Sequence, residues 1–182
     1  FIGIQAETNP FNAPVAFDAN TANTLRLNNC EIHNNSAIGI LATNYKITDT
    51  NSVITNSGQY NILVKGDGDY RFNHTTIANY WDGTDRETPA VLLQNAYTHS
   101  TGVAVVSDLT AANFYNCIID GDQEIEFSSE EVSGGTINFL IDHSVLKTTN
   151  STTGANYNNI TLNPSNLFID NILHDYHLTA TS

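Results

Sequence analysis

Apolar and polar positions recur along this chain in one short pattern. It appears in Asn29-Cys30-Glu31-Ile32, Asn51-Ser52-Val53-Ile54, His74-Thr75-Thr76-Ile77, Asn116-Cys117-Ile118-Ile119 and His143-Ser144-Val145-Leu146. With the Asn or His taken as position zero, the next residue is always small and position +3 is always Ile or Leu. Positions −4 and −2 are mostly apolar: Leu25 and Leu27, Tyr70 and Phe72, Ala112 and Phe114, Phe139 and Ile141, with Ile47 and Asp49 the imperfect case. A third apolar pair is expected at +9 and +11, in Ile38 and Ile40, Tyr60 and Ile62, and Ile125 and Phe127.

The parity of these offsets carries the architecture. Residues two apart lie on one face of a strand. The pair −4/−2 has one phase and the pair +1/+3 the other, so a chain keeping its apolar side inward must bend at zero. Asn tolerates a left-handed backbone better than most non-glycine residues, which suits it to that bend. Three short strands per repeat, all facing one interior, describe an all-β chain folded as a right-handed parallel β-helix, a solenoid of about five to six coils. Successive zero positions are 22, 23, 42 and 27 residues apart. Strands in register stack ~4.8 Å apart, so extra residues leave the column as loops at the turns. These insertions are expected at 7–23, 80–89, 95–111 and 128–136. No stretch has the 3.6-residue period of a helix, and the Asp-Gly pairs bracket no clear hairpin.

Composition narrows the class. Of 182 residues, 19 are acidic and 6 basic, for a net charge of −13. Nucleic acid and anionic membrane surfaces are thereby disfavoured as partners. Charged residues are 14% of the chain, against the usual ~25%, with Asn, Thr and Ser in their place. That neutral polar surface is common in extracellular β proteins. No run approaches the ~20 apolar residues of a membrane span. The chain contains no Met, and Phe1-Ile2-Gly3-Ile4 already alternates like mid-strand sequence. Residues 1–182 are therefore expected to be one β-helix segment trimmed at both ends from a longer chain. Cys30 and Cys117 both hold the small inward position, at least three stacking steps or ~14 Å apart, and are expected to be buried free thiols.

The stretches Phe114-Tyr115-Asn116-Cys117-Ile118-Ile119-Asp120-Gly121-Asp122-Gln123-Glu124-Ile125-Glu126, Ile137–Thr148 and the tail Leu167-Phe168-Ile169-Asp170 … Asp175-Tyr176-His177-Leu178 carry a resemblance. Together they resemble the C-terminal half of right-handed parallel β-helix surface proteins of Bacteroidetes, the choice-of-anchor Q or β-helix repeat lipoprotein family. The resemblance covers roughly residues 25–182 and is most specific after residue 112. It implies export and attachment at the bacterial cell surface; the partners expected are a polysaccharide or other surface proteins, in an outer-membrane assembly. It supplies no catalytic residues. The family's Ser-Pro-Ala-Ile-Asp-like continuation is not found after Ser182.

Candidate chemistry is sparse. Lyases of anionic polymers need clustered Arg or Lys. Here Arg26, Lys46, Arg71 and Arg86 are expected to stand apart, and the paired aspartates of related hydrolases are missing. A non-catalytic scaffold or carbohydrate-binding module is the leading expectation. The alternative is part of a polysaccharide lyase or glycoside hydrolase. The loops at 80–89 and 95–111 should wall a groove, with Trp81, Asp82, Asp85 and Glu87 on one side and Tyr97, His99 and Asp108 on the other. An aromatic face beside carboxylates suits a neutral sugar of a polysaccharide. The plainer reading is that Trp81 packs its own loop against the coil. Asp120, Asp122 and Glu124 alternate as a calcium site would, although the string fails the EF-hand pattern and also reads as a solvated turn. His174 and His177 face opposite sides of an extended segment, so they are expected to be exposed positions beside a packed Tyr176.

Overall fold

A computed structural model describes residues 2–7, 17, 18, 20 and 22–180. The expected insertion 7–23 therefore lies largely outside the described residues. Among those described, the chain is all-β with no helix, and its two large sheets of nine and six strands are parallel.

The strands follow the repeats. β1 (Ile2–Glu7), β2 (Thr24–Asn28), β3 (Glu31–Asn35), β4 (Ile38–Thr50), β5 (Val53–Ser57) and β6 (Tyr60–Asn73) form the first part. β7 (Thr76–Asn79), β8 (Val91–Gln94), β9 (Ala96–Thr98), β10 (Ala104–Val106), β11 (Leu109–Tyr115), β12 (Ile118–Gly121) and β13 (Phe127–Glu130) follow. β14 (Ile137–Asp142), β15 (Val145–Leu146), β16 (Tyr157–Asn158), β17 (Thr161–Leu162), β18 (Phe168–Asp170) and β19 (Asp175–Leu178) complete the chain. The six-stranded sheet runs β17-β15-β12-β7-β5-β3, each strand pairing with its equivalent in the next repeat. The nine-stranded sheet divides where β4 and β6 bend, at Asn44 (φ 48°) and Gly66 (φ 73°). One half stacks β1, β4, β6, β8 and β13, and the other β2, β4, β6, β11, β14 and β16.

The file of bends at position zero is present. Asn29, Asn51, His74, Asn116 and His143 all have positive φ, between 47° and 57°, and Asn159 at 50° extends the file. Each amide donates to a carbonyl of the next repeat: Asn29 to Thr50, Asn51 to Asn73, His74 to Tyr115, Asn116 to Asp142 and His143 to Asn158, at 2.9–3.0 Å. Side chains add a second ladder, with Asn51 Nδ2 donating to Asn29 Oδ1 at 2.6 Å. A left-handed backbone costs other residues ~1–2 kcal/mol each, so short polar side chains occupy this corner.

Inward residues from all three strand files meet in one core, including Ile47, Tyr70, Phe72, Phe114 and Ile141 before the bend and Ile54, Ile77, Ile119 and Leu146 after it. Phe72 and Phe114 stack one above the other, with centroids 5.1 Å apart and planes 9° from parallel. Asp49 shares this interior with no exposed surface, accepting the Ser52 and Thr75 hydroxyls at 2.5 Å each. Burial raises its pKa, with those two hydroxyls pulling the other way. Cys117 is a buried free thiol, and burial pushes it up to about 11.

Three expectations need correction. The third inward pair sits at +11 and +13 (Ile40 and Ala42, Ile62 and Val64), while Ile38 and Tyr60 pack with Leu41, Leu63 and Leu92 in a separate cluster. Cys30 is only half-buried, because its repeat lies at the edge of the described stack. Among the described residues two antiparallel hairpins form, β9–β10 inside the insertion 95–111 and β18–β19 in the tail, neither at an Asp-Gly pair. Residues 128–130, expected in a loop, continue β13.

Candidate functional site

The site begins with the ten residues that leave the stack after β7. Arg86 turns inward from this loop, and its side chain has no exposed surface. Its guanidinium grips Glu126 with two bonds, of 2.7 and 3.0 Å, and Glu126 is equally buried. The same guanidinium donates to the Asn79 carbonyl (2.7 Å), the Thr88 carbonyl and Asp122. Glu126 also accepts from the Ala90 and Gln123 amides, at 2.7 and 2.8 Å. Burial opposes charge on Arg86, but its bonds and proximity to Glu126 outweigh that and raise its pKa. The loop is thus stapled to the repeat below it. Arg86 does not stand apart, as the sequence suggests; its partners are 36 and 40 residues away across an insertion.

Trp81 is the second residue of the same loop, followed by the exposed residues 82–85. Trp81 is half-buried, with Nε1 donating to Thr84 Oγ1 at 3.2 Å. Its ring lies so close to Gly83 that a Cβ there would come within 2.6 Å of it, and a Cβ at Gly58 would lie 3.4 Å from the same ring. The ring thus lies close to its own loop. Trp81 also lines two hollows. One, of about 210 Å³, is lined by Tyr80, Trp81, Asp82, Asp122, Ile172 and His174 together with Asn171. The other, of about 580 Å³, is lined by Trp81, Asp82, Thr84, Asp85, Arg86 and Asp122 together with Gly83 and Gln123.

The first hollow's far wall comes from the C-terminal hairpin. Phe168 and Leu167 pack on Ala78 outside the six-stranded sheet. Phe168 meets Tyr176 edge-on (5.1 Å, 85°), and both lie against Tyr80 at 6.3 Å. Tyr176 donates its hydroxyl to Asn56 Oδ1 at 2.5 Å, and Asn56 Nδ2 donates to His174 Nδ1 at 2.8 Å. Burial pushes Tyr176 up to about 12. Tyr176 is packed and His177 exposed, as expected. Asn171, Ile172 and His174 were legible in the sequence only as tail residues, with no signal linking them to Trp81.

The remaining sequence candidates disperse. Glu87 borders a neighbouring hollow with Pro89, Gln123, Glu124, Ile125 and Ser128. Tyr97, His99 and Asp108 are in neither wall beside Trp81, because β8 holds the two loops at its opposite ends, ~13 Å apart. The Tyr97 hydroxyl accepts from Asn44 Nδ2 (2.7 Å), buried His99 pairs with Thr101 (2.9 Å), and Asp108 binds the Thr136 amide and hydroxyl (2.8 and 2.9 Å). Between those ends the outer side of the sheet carries buried Leu63 and Leu92.

The calcium candidates also part. Asp120 accepts the Tyr80 hydroxyl at 2.8 Å, Asp122 pairs with Arg86, and Glu124 is exposed near Glu87. Among the described residues, no three His, Cys, Asp or Glu side chains gather as a metal site. No helix among them is long and apolar enough to cross a membrane. No protein-family model, no curated protein and no solved structure matches this chain.

Proposed function

We propose that this chain is a right-handed parallel β-helix of five to six coils, part of a bacterial cell-surface protein of the β-helix repeat lipoprotein kind, and that it is a non-catalytic scaffold carrying a carbohydrate-binding site at Trp81. The fold reading rests on the unbroken file of left-handed Asn and His corners and on parallel pairing from each repeat to the next. A rigid column with expelled loops is the architecture on which ligand sites are hung outside the core.

One observation carries the binding reading. Trp81 lines two hollows together with Asp82 and Asp122, on a loop pinned by a fully buried ion pair. Saccharide rings bind through an apolar face laid on an aromatic ring and hydroxyls donated to carboxylates. A pinned loop loses little conformational freedom on binding, which favours affinity. Extracellular placement is supported by the neutral polar composition; the partners are a polysaccharide or neighbouring surface proteins.

The chain's only tryptophan makes the test direct. Titration with soluble oligosaccharides should shift Trp81 fluorescence saturably, and W81A should lose binding by calorimetry. Unchanged binding by W81A would remove the site, and release of new reducing ends would overturn the non-catalytic reading.

A further inference from the structure

The walls beside Trp81 carry a charge pattern that narrows what enters them. Asp82 and Asp122 line both hollows and Asp85 the larger one. The one cation among their described lining residues is Arg86, whose guanidinium is already held by buried Glu126 and by Asp122. His174 turns Nδ1 to the Asn56 side-chain amide. Asp82 and Asp85 are exposed, and the whole chain carries a net charge of −13. An aromatic ring flanked by carboxylates attracts a cation through both the ring quadrupole and direct charge pairing, and each contribution grows as water is excluded.

Resting on the carbohydrate reading above, we propose that the ligand is a cationic saccharide: a polymer of 2-amino sugars with free ammonium groups, its apolar ring face on Trp81 and an ammonium between Asp82 and Asp122. An acidic polysaccharide is rejected by the same charges. A neutral one gains the stacking contact and lacks the charge pairing. Ile172, exposed and in the smaller hollow's wall, extends the apolar surface for the ring of the next sugar.

Two hexasaccharides of equal length separate the alternatives: fully deacetylated glucosamine hexamer and its N-acetylated counterpart, in which each ammonium is replaced by a neutral amide. The deacetylated form should bind about tenfold tighter at low salt, through one cation–π contact and screened ion pairs. That advantage should shrink toward parity in 0.5 M salt, where the screening length falls to about 4–5 Å. D82N and D85N, both at exposed positions, should each weaken only the deacetylated hexamer. Equal affinity for the two hexamers overturns the cationic preference and leaves the saccharide site standing. Failure of both to perturb Trp81 overturns both readings. Equally tight binding of hexalysine would also overturn the inference, because the charges would then be read without the sugar.

Discussion

Arg86 and Glu126 form a two-point ion pair, 2.7 and 3.0 Å, with neither side chain exposed to solvent. The loop that presents Trp81 depends on it. Removing Arg86 strands Glu126 as an uncompensated buried charge, and removing Glu126 leaves Arg86 only the exposed Asp122 as counter-ion, a loss of up to ~3–5 kcal/mol. R86M and E126L should each lower the unfolding free energy from chemical denaturation by that order, R86M more than E126L. The double variant should recover most of the loss, because apolar replacements of similar volume remove both desolvation costs. Additive losses would show that the two side chains act independently.

Asn51 tests the corner file. N51A removes its bond to Asn29 and places an alanine at φ 57°, so it should cost ~1–2 kcal/mol. N51G keeps the backbone free to adopt that angle and should cost less. Thermal melts that rank alanine above glycine would contradict the left-handed corner.

The sequence made the corners legible because their demand is local. A left-handed backbone selects Asn or His, and the phase switch across it marks the inward residues on both sides, from Leu25 to Leu146. The third strand was less legible. Ile38 and Tyr60 have the right parity for the core, yet pack outside it with Leu63 and Leu92. The candidate site was half legible. Trp81 and Asp82 are conspicuous in a polar insertion, but their counterpart wall is 90 residues away in a hairpin whose docking depends on Tyr80, Phe168 and Tyr176. Arg86 seemed isolated for the same reason: charge pairing across an insertion leaves no periodic trace.

Asp49 predicts an unusual pH response. Burial raises its carboxyl above the ordinary value near 3.8, so the folded chain holds that proton more tightly than the unfolded chain. Its contribution to stability is therefore largest at acid pH and declines as pH rises from the ordinary value through the raised one. D49N keeps an acceptor and a donor for Ser52 and Thr75 without the charge. It should be more stable than the parent at pH 7, with the gap closing toward pH 3. A destabilised D49N at pH 7 would show that the hydroxyl bonds outweigh desolvation.

Thiol accessibility offers a separate check. Cys117 is buried with its pKa pushed up to about 11, whereas Cys30 is half-buried. In native protein, Ellman's reagent should modify Cys30 alone, and both thiols should react in denaturant. Fast native modification of Cys117 would place it outside the core.

Tail docking should be visible from Trp81. Y176F deletes the hydroxyl bond to Asn56, a loss of ~0.5–1.5 kcal/mol, and should speed proteolysis within residues 164–180. The smaller hollow beside Trp81 should open with it, changing the tryptophan emission. Identical emission and proteolysis in Y176F and the parent would show that the hairpin does not form that wall.

Successive repeats pair in parallel through one corner. Scalar couplings across hydrogen bonds, measured by long-range amide-to-carbonyl NMR, test it most directly. Correlations are expected from Asn51 N to the Asn73 carbonyl, His74 N to Tyr115, Asn116 N to Asp142 and His143 N to Asn158. Absence of all four, with cross-strand contacts of antiparallel type between the same segments, would contradict the architecture and the site built on it.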